Sequence, residues 1–176
     1  MIKKEIPLVN KKGPVSIIAV GDSKEATALR EALENFGYRV DMHWVGSRKE
    51  FLEILSGNIA TNNTVILSVH GIEEGIYMPD EKAVSADDIA KIANLKDKTV
   101  INFGCITGKD NFVKSFIKNG KASVYIAPED YPEGSAALLF AIVMFYELSR
   151  NKTIEEAVEK ASSLDNETKI FKLFKK

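Results

Sequence analysis

His70 is one of two histidines and Cys105 the only cysteine, and each stands where a short apolar run meets a glycine, in TVILSVHG and TVINFGC. A thiolate attacks carbonyl carbon, and a nearby imidazole can lower a thiol's pKa or protonate a leaving group. The glycines suit the same chemistry. Gly71 and Gly104 let a substrate backbone come close, and the N–H groups of Gly71 and Cys105 can together hold an oxyanion. Such acyl transfer needs the imidazole and the thiol close in space, not in sequence. Taken singly, Cys105 also reads as an inert buried thiol and His70 as a local hydrogen-bonding residue; their matched positions argue for the pair.

Acids form a second set. Asp22 follows the first apolar run, and Glu129 and Asp130 follow the fifth, so all three can recognise a basic group. Asp22 can equally cap the helix after it, and Glu129 and Asp130 can belong to a solvated loop. Gly21-Asp22-Ser23 supplies one glycine and an unhelpful negative charge, which makes a poor phosphate cradle. His43, inside a strand beside Trp44, reads as structural. No pair of histidines and no Cys/His cluster has zinc-ligand spacing, and the chemistry read from His70 and Cys105 calls for neither metal nor cofactor.

The elements that must position these residues alternate along the chain. Val65–Val69 and Thr99–Phe103 are short, β-branched runs of the kind buried on both faces of a parallel sheet, Val15–Val20 and Ala122–Ala127 are further apolar strands, and Tyr38–Val45 makes one more strand. Between them lie helical patterns. Ala26, Leu29, Leu33 and Phe36 mark one, Phe51, Leu52 and Leu55 a second opened by Ser47, and Ile89, Ile92 and Leu95 a third opened by Ser85. Asn111–Asn119 predicts a further short helix, Ser135–Ser149 one apolar almost all round, and Thr153-Ile154-Glu155-Glu156 a capping box. Gly71–Asp80 is too rich in glycine for a helix and predicts a small hairpin. Lys169–Phe174 fits an edge strand or a last helical turn.

This alternation predicts a doubly wound α/β fold, a mostly parallel sheet with helices on both faces. His70 and Cys105 then emerge on the carboxyl rim if their strands are neighbours. The 176 residues suit one domain over 15–176, with 1–14 as a loose N-terminal arm before the Gly13-Pro14 break. Lys and Arg number 24 against 25 Asp and Glu, so bulk charge argues for neither nucleic acid nor an anionic membrane. The most apolar segment, Ala136–Tyr146, falls far short of the roughly 18 residues of a membrane span. One cysteine cannot form an intrachain disulfide and no signal-peptide core is evident, so a reducing cytoplasm is expected.

In order and spacing, the run from Val65 to Ala161 resembles the caspase-like fold of cysteine peptidases, most closely the compact CHAT-type domains. The resemblance rests on the strand ending His70-Gly71, the short hairpin, the helix opened by Ser85 and the strand leading to Cys105-Ile106-Thr107-Gly108. It continues through Phe145-Tyr146-x-Leu148 and Thr153-Ile154-x-Glu156-Ala157-Val158-x-x-Ala161. It implies a three-layer sandwich in which Cys105 is the nucleophile, His70 its proton-handling partner, and Gly71 and Cys105 the oxyanion donors. The P1 side chain would enter a pocket of rim loops, with Asp22 as a selector of basic residues. Several basic-specific relatives place an acid two residues before the cysteine; here Phe103 stands there. The activity implied is endopeptidase cleavage of a polypeptide through a thioester, without cofactor. A non-catalytic interaction domain of the same fold and a flavodoxin-like small-ligand binder are the alternatives. Oligomeric state is not written in the sequence.

Overall fold

The computed structural model describes residues 12–21, 23–80 and 83–176. In chain order these form β1 (Lys12–Val20), α1 (Ser23–Asn35), β2 (Tyr38–Val45), α2 (Arg48–Ser56) and β3 (Thr64–Ser68). A hairpin of β4 (Gly71–Ile72) and β5 (Gly75–Ile76) precedes α3 (Ala86–Ile92), β6 (Thr99–Asn102) and α4 (Asp110–Val113). Then come β7 (Val124–Pro128), α5 (Gly134–Ser149), α6 (Ile154–Ser162) and β8 (Phe171–Lys175). The main sheet has the order β2-β1-β3-β6-β7-β8, parallel throughout except for β8, which runs antiparallel to β7.

Why the strand sequences lack a polar face is plain from the layers. In β3, Val65 and Leu67 pack on one side with Phe51, Leu55, Ile89 and Phe116, while Ile66 packs on the other with Leu29, Phe140 and Phe145. Successive strand residues point to opposite faces, so the inner strands of a sheet covered by α2, α3 and α4 on one side and α1, α5 and α6 on the other must be apolar at nearly every position, while the edge strand β2 keeps Arg39, Asp41 and His43. Both apolar layers are closed. The expected caps are present: Ser47 and Ser85 accept from backbone N–H groups at the starts of α2 and α3, and reciprocal capping boxes open α3 (Ser85 with Asp88) and α6 (Thr153 with Glu156).

Two segments differ from the sequence expectation, and a third is one that it leaves open. β1 begins at Lys12, inside the segment expected to be an arm; the rest of that arm, 1–11, lies outside the described residues. The chain passes Gly13-Pro14 through a register shift between Lys12 and Val15, and β3 pairs with β1 only from Val15 onward, so Pro14 removes no ladder bond to β3. The helix expected over Asn111–Asn119 is α-helical only to Val113 and continues as π-helix over Lys114–Asn119. The last segment takes both forms the sequence allows: a single 3-10 turn over Thr168–Ile170 leads into the strand Phe171–Lys175, because β7 offers Phe171 and its successors an unpaired edge.

The strand order reverses between β1 and β3, whose following segments leave toward opposite faces. Ligand crevices of open α/β sheets lie at such a point, beyond the carboxyl ends of the strands.

Candidate active site

β3 and β6 are neighbours and parallel, with Leu67 opposite Asn102 as the last register pair. His70 and Cys105 each follow three residues later, so they leave adjacent strands at the same level of the rim. His70 is the first exposed residue after the buried run Val65–Val69, and Cys105 is half-buried. Gly21, at the exit of β1, is held at φ +86, a conformation that favours glycine, and a β-carbon there would lie 3.9 Å from His70 Cδ2. The imidazole thus stands at the reversal of strand order.

Gly71 is buried against the Cys105 backbone. An added β-carbon would overlap the Cys105 carbonyl oxygen and lie 2.7 Å from its nitrogen and 2.9 Å from its carbonyl carbon. Only glycine permits that approach. The hairpin sets it: β4 pairs Gly71 with Ile76, Tyr77 N–H donates to the His70 carbonyl (2.9 Å), and Ile76 exchanges two backbone bonds with Val84 (2.9 and 2.8 Å).

The turn carrying Cys105 is held by buried polar groups that the sequence reading did not single out. Asn102 Oδ1 accepts the Gly104 N–H (2.9 Å), and Asn102 Nδ2 donates to the Tyr125 hydroxyl (3.1 Å). That hydroxyl donates to the Thr107 carbonyl (2.9 Å), while Thr107 Oγ1 donates to the Gly104 carbonyl (2.6 Å). The Tyr125 ring stacks on Phe116 with centroids 4.4 Å apart, and burial pushes its phenol far above the ordinary value. Between these anchors Ile106 has φ +55, an unfavourable region for a β-branched residue. Its N–H donates to the Asp130 carbonyl (3.0 Å), and the Gly108 N–H to the Pro128 carbonyl (2.7 Å), so the loop after β7 clasps the turn. An asparagine closing the β-branched run Thr99–Asn102 was the one legible signal of this network.

Burial, together with the negative charge of Asp130, holds the Cys105 thiol above its ordinary pKa. The N–H groups of Cys105 itself and of Gly71 act on the sulfur in the opposite sense without prevailing. Lowering of the thiol pKa, expected from a neighbouring imidazole, is therefore not the resting condition: desolvation outweighs the donors.

The acids divide. Asp130 lies close enough for its charge to act on Cys105, with Oδ1 accepting the Tyr131 N–H (3.0 Å). Glu129 is exposed on the same loop, its N–H turned to the Ile170 carbonyl (3.0 Å). Asp22 lies outside the described residues. Among the described residues no group of His, Cys, Asp and Glu could hold a metal ion, and no helix is long and apolar enough to cross a membrane.

No protein-family model matches this sequence, and no curated protein matches it either. Solved structures similar to this chain include the following two. Separase from Saccharomyces cerevisiae, solved in complex with securin, superposes over 97% of this chain with a TM-score of 0.61 at 13% identity. Gingipain R, an Arg-specific cysteine proteinase, does so over 93% with a TM-score of 0.58 at 16% identity. This chain spans 12% and 46% of the respective lengths of those chains. The fold is the caspase-like three-layer α/β arrangement shared with these two structures.

Proposed function

We propose that this chain is a caspase-like cysteine peptidase domain in which His70 and Cys105 cleave a polypeptide substrate. One observation carries the reading: Gly71 packs directly on the Cys105 backbone, an added β-carbon standing 2.7 Å from the Cys105 nitrogen, so the two residues whose N–H groups would hold an oxyanion are in contact. A carbonyl carbon bonded to the Cys105 sulfur would present its oxygen to the same two donors, which is what an acyl-transfer site requires. Because the thiol rests protonated, the proton leaves as the bond forms. Sγ attacks the scissile carbonyl, its proton passes to the imidazole of His70, and the oxyanion is held by Gly71 and Cys105. Collapse expels the amine, which takes the proton from His70, and water then hydrolyses the thioester.

A basic P1 residue is the preference this rim supports, with Asp130 as the acid whose charge reaches the sulfur and Glu129 beside it on the same loop; Asp22 is a further selector on the sequence reading alone. The two-stranded hairpin after His70 and the Cys-x-Thr-Gly turn support a place nearest the compact CHAT-type domains. A protein partner for the rim is in keeping with the separase neighbour having been solved with securin.

A binding domain without turnover is the second reading, favoured by the raised thiol pKa. Peptidyl acyloxymethyl ketones bearing Arg, Lys, Leu or Asp at P1, read by intact mass, separate the two. Arg and Lys probes are expected to label the wild type and to fail with Cys105→Ala and, largely, with His70→Ala. If no probe labels a folded wild type whose Cys105 is accessible to a small alkylator, the binding domain stands.

A further inference from the structure

The end of the sheet opposite Cys105 has its own chemistry. A cavity of about 390 Å³ opens there, lined by Gly57, Ile59, Thr61, Asn94, Lys96 and Lys98, within the size range of small-ligand sites. Lys98 is half-buried, and its ammonium donates to the carbonyls of Thr61 and Asn62, each at 3.0 Å. Those two neutral acceptors use two of its three protons. No carboxylate forms an ion pair with Lys98 among the described residues, so a partly desolvated positive charge faces the cavity without a counter-charge. Burial accordingly lowers its pKa.

Further lysines converge on the same end. The Leu95 N–H donates to the Gly120 carbonyl (2.7 Å), bringing Lys121 beside Lys96. The Ser123 N–H donates to the Lys98 carbonyl (2.9 Å), and the Lys176 N–H to the Ser123 carbonyl (3.3 Å). Lys96, Lys98, Lys121 and Lys176 share this end with Asp97 in the turn between the first two, with Glu53, whose carboxylate accepts from Asn58 (2.8 Å), and with Asp41, whose carboxylate accepts from the Asn62 side chain (2.7 Å) and does not line the cavity.

We infer that this cavity binds a small phosphate-class anion, with Lys98 and Lys96 supplying charge and Asn94 and Thr61 flanking polar groups. Compact ammonium groups bind phosphate as point charges, and two of them at one cavity favour a multivalent anion over a monocarboxylate. The site is remote from Cys105, so its fate is independent of the peptidase reading.

Inorganic pyrophosphate is the probe, titrated into the whole chain by calorimetry and by amide NMR. Saturable binding with a dissociation constant below about 1 mM, with shifts concentrated at Thr61, Asn62, Asn94 and Lys98, is expected, and acetate should produce neither. Lys96→Gln, an exposed position, should weaken binding at least threefold, and Lys96→Gln with Lys98→Met at least tenfold. Lys160→Gln on α6 should change nothing. Shifts scattered over all lysine-bearing surfaces, equal losses in Lys160→Gln, or no saturation would overturn the site. The wild-type shift map decides the matter even if Lys98→Met fails to fold.

Discussion

The α-carbon of Gly71 sits so close to the Cys105 backbone that a single added carbon would overlap the Cys105 carbonyl oxygen and stand 2.7 Å from its nitrogen. No rotamer relieves a clash between a β-carbon and backbone, so the hairpin or the cysteine turn must move. Gly71→Ala is expected to destabilise the fold by at least about 2 kcal/mol, the range of overpacked interiors. Gly134→Ala, with nothing within 4 Å of the added carbon, should stay within about 0.5 kcal/mol of the wild type. Urea unfolding measures both, and a near-neutral Gly71→Ala would show that the approach is looser than described.

Cys105 alkylation tests the resting state of the thiol. With its pKa raised by burial and by Asp130, the folded protein holds less thiolate at pH about 7.5 than the denatured chain, and iodoacetamide reacts only with thiolate. Folded Cys105 should therefore react more slowly than the urea-denatured chain, along a titration displaced to higher pH. Asp130→Asn removes an opposing negative charge and should shift that titration downward, speeding reaction at fixed pH. Faster alkylation of the folded wild type than of the denatured chain would show the thiol to be activated at rest.

Much of this was legible in the sequence, and the reasons are local. Val65–Val69 and Thr99–Phe103 announced strands because burial on both faces favours unbroken apolar runs, and the register of β3 on β6 then carried His70 and Cys105 to one rim. Caps at Ser47, Ser85 and Thr153 were readable because a cap is a contact three residues long. What escaped depends on distant partners. Asn102, Thr107 and Tyr125 meet only when β6 and β7 pair, and nothing in the spacing of 23 residues between Asn102 and Tyr125 tells of a 3.1 Å bond. Ile106 adopts φ +55 because the Asp130 carbonyl holds its N–H and the Gly104 carbonyl holds its neighbour Thr107, against its own preference. The π-helix at Lys114–Asn119 shifts hydrogen bonds by one residue, which hydrophobic periodicity over so short a run does not register. The fate of Lys169–Phe174 was set by the free edge of β7, a property of the sheet and not of those residues.

Tyr125→Phe tests whether the buried network positions the nucleophile. Deleting the hydroxyl strips Asn102 Nδ2 of its acceptor and the Thr107 carbonyl of its donor in a buried setting, while the ring's stack on Phe116 survives. A loss of about 1–3 kcal/mol is expected from the unsatisfied groups. Labelling of Cys105 by an Arg acyloxymethyl ketone should slow about tenfold, with the saturation constant for the probe little changed, because the turn and not the pocket is disturbed. Equal slowing of a small alkylator and the peptidyl probe would point to a general loosening of the fold.

Asp130 makes the sharpest distinction, because its charge enters in two opposed ways. On the proposed peptidase reading it would offer a bound Arg or Lys at P1 a charge-assisted pair, and losing that partner should cost roughly tenfold in kcat/KM, the equivalent of about 1.4 kcal/mol. Toward the sulfur the same charge is unfavourable, since it raises the thiol pKa and with it the cost of forming the nucleophile. Asp130→Asn should therefore slow an Arg substrate about tenfold while leaving a Leu substrate unchanged or somewhat faster. A solvated loop acid with no role at the site would move neither rate. Equal slowing of both substrates would mean that Asp130 only holds the loop through its Tyr131 bond, whereas faster turnover of both would confine its influence to the thiol and leave the choice of P1 residue to other groups on the rim.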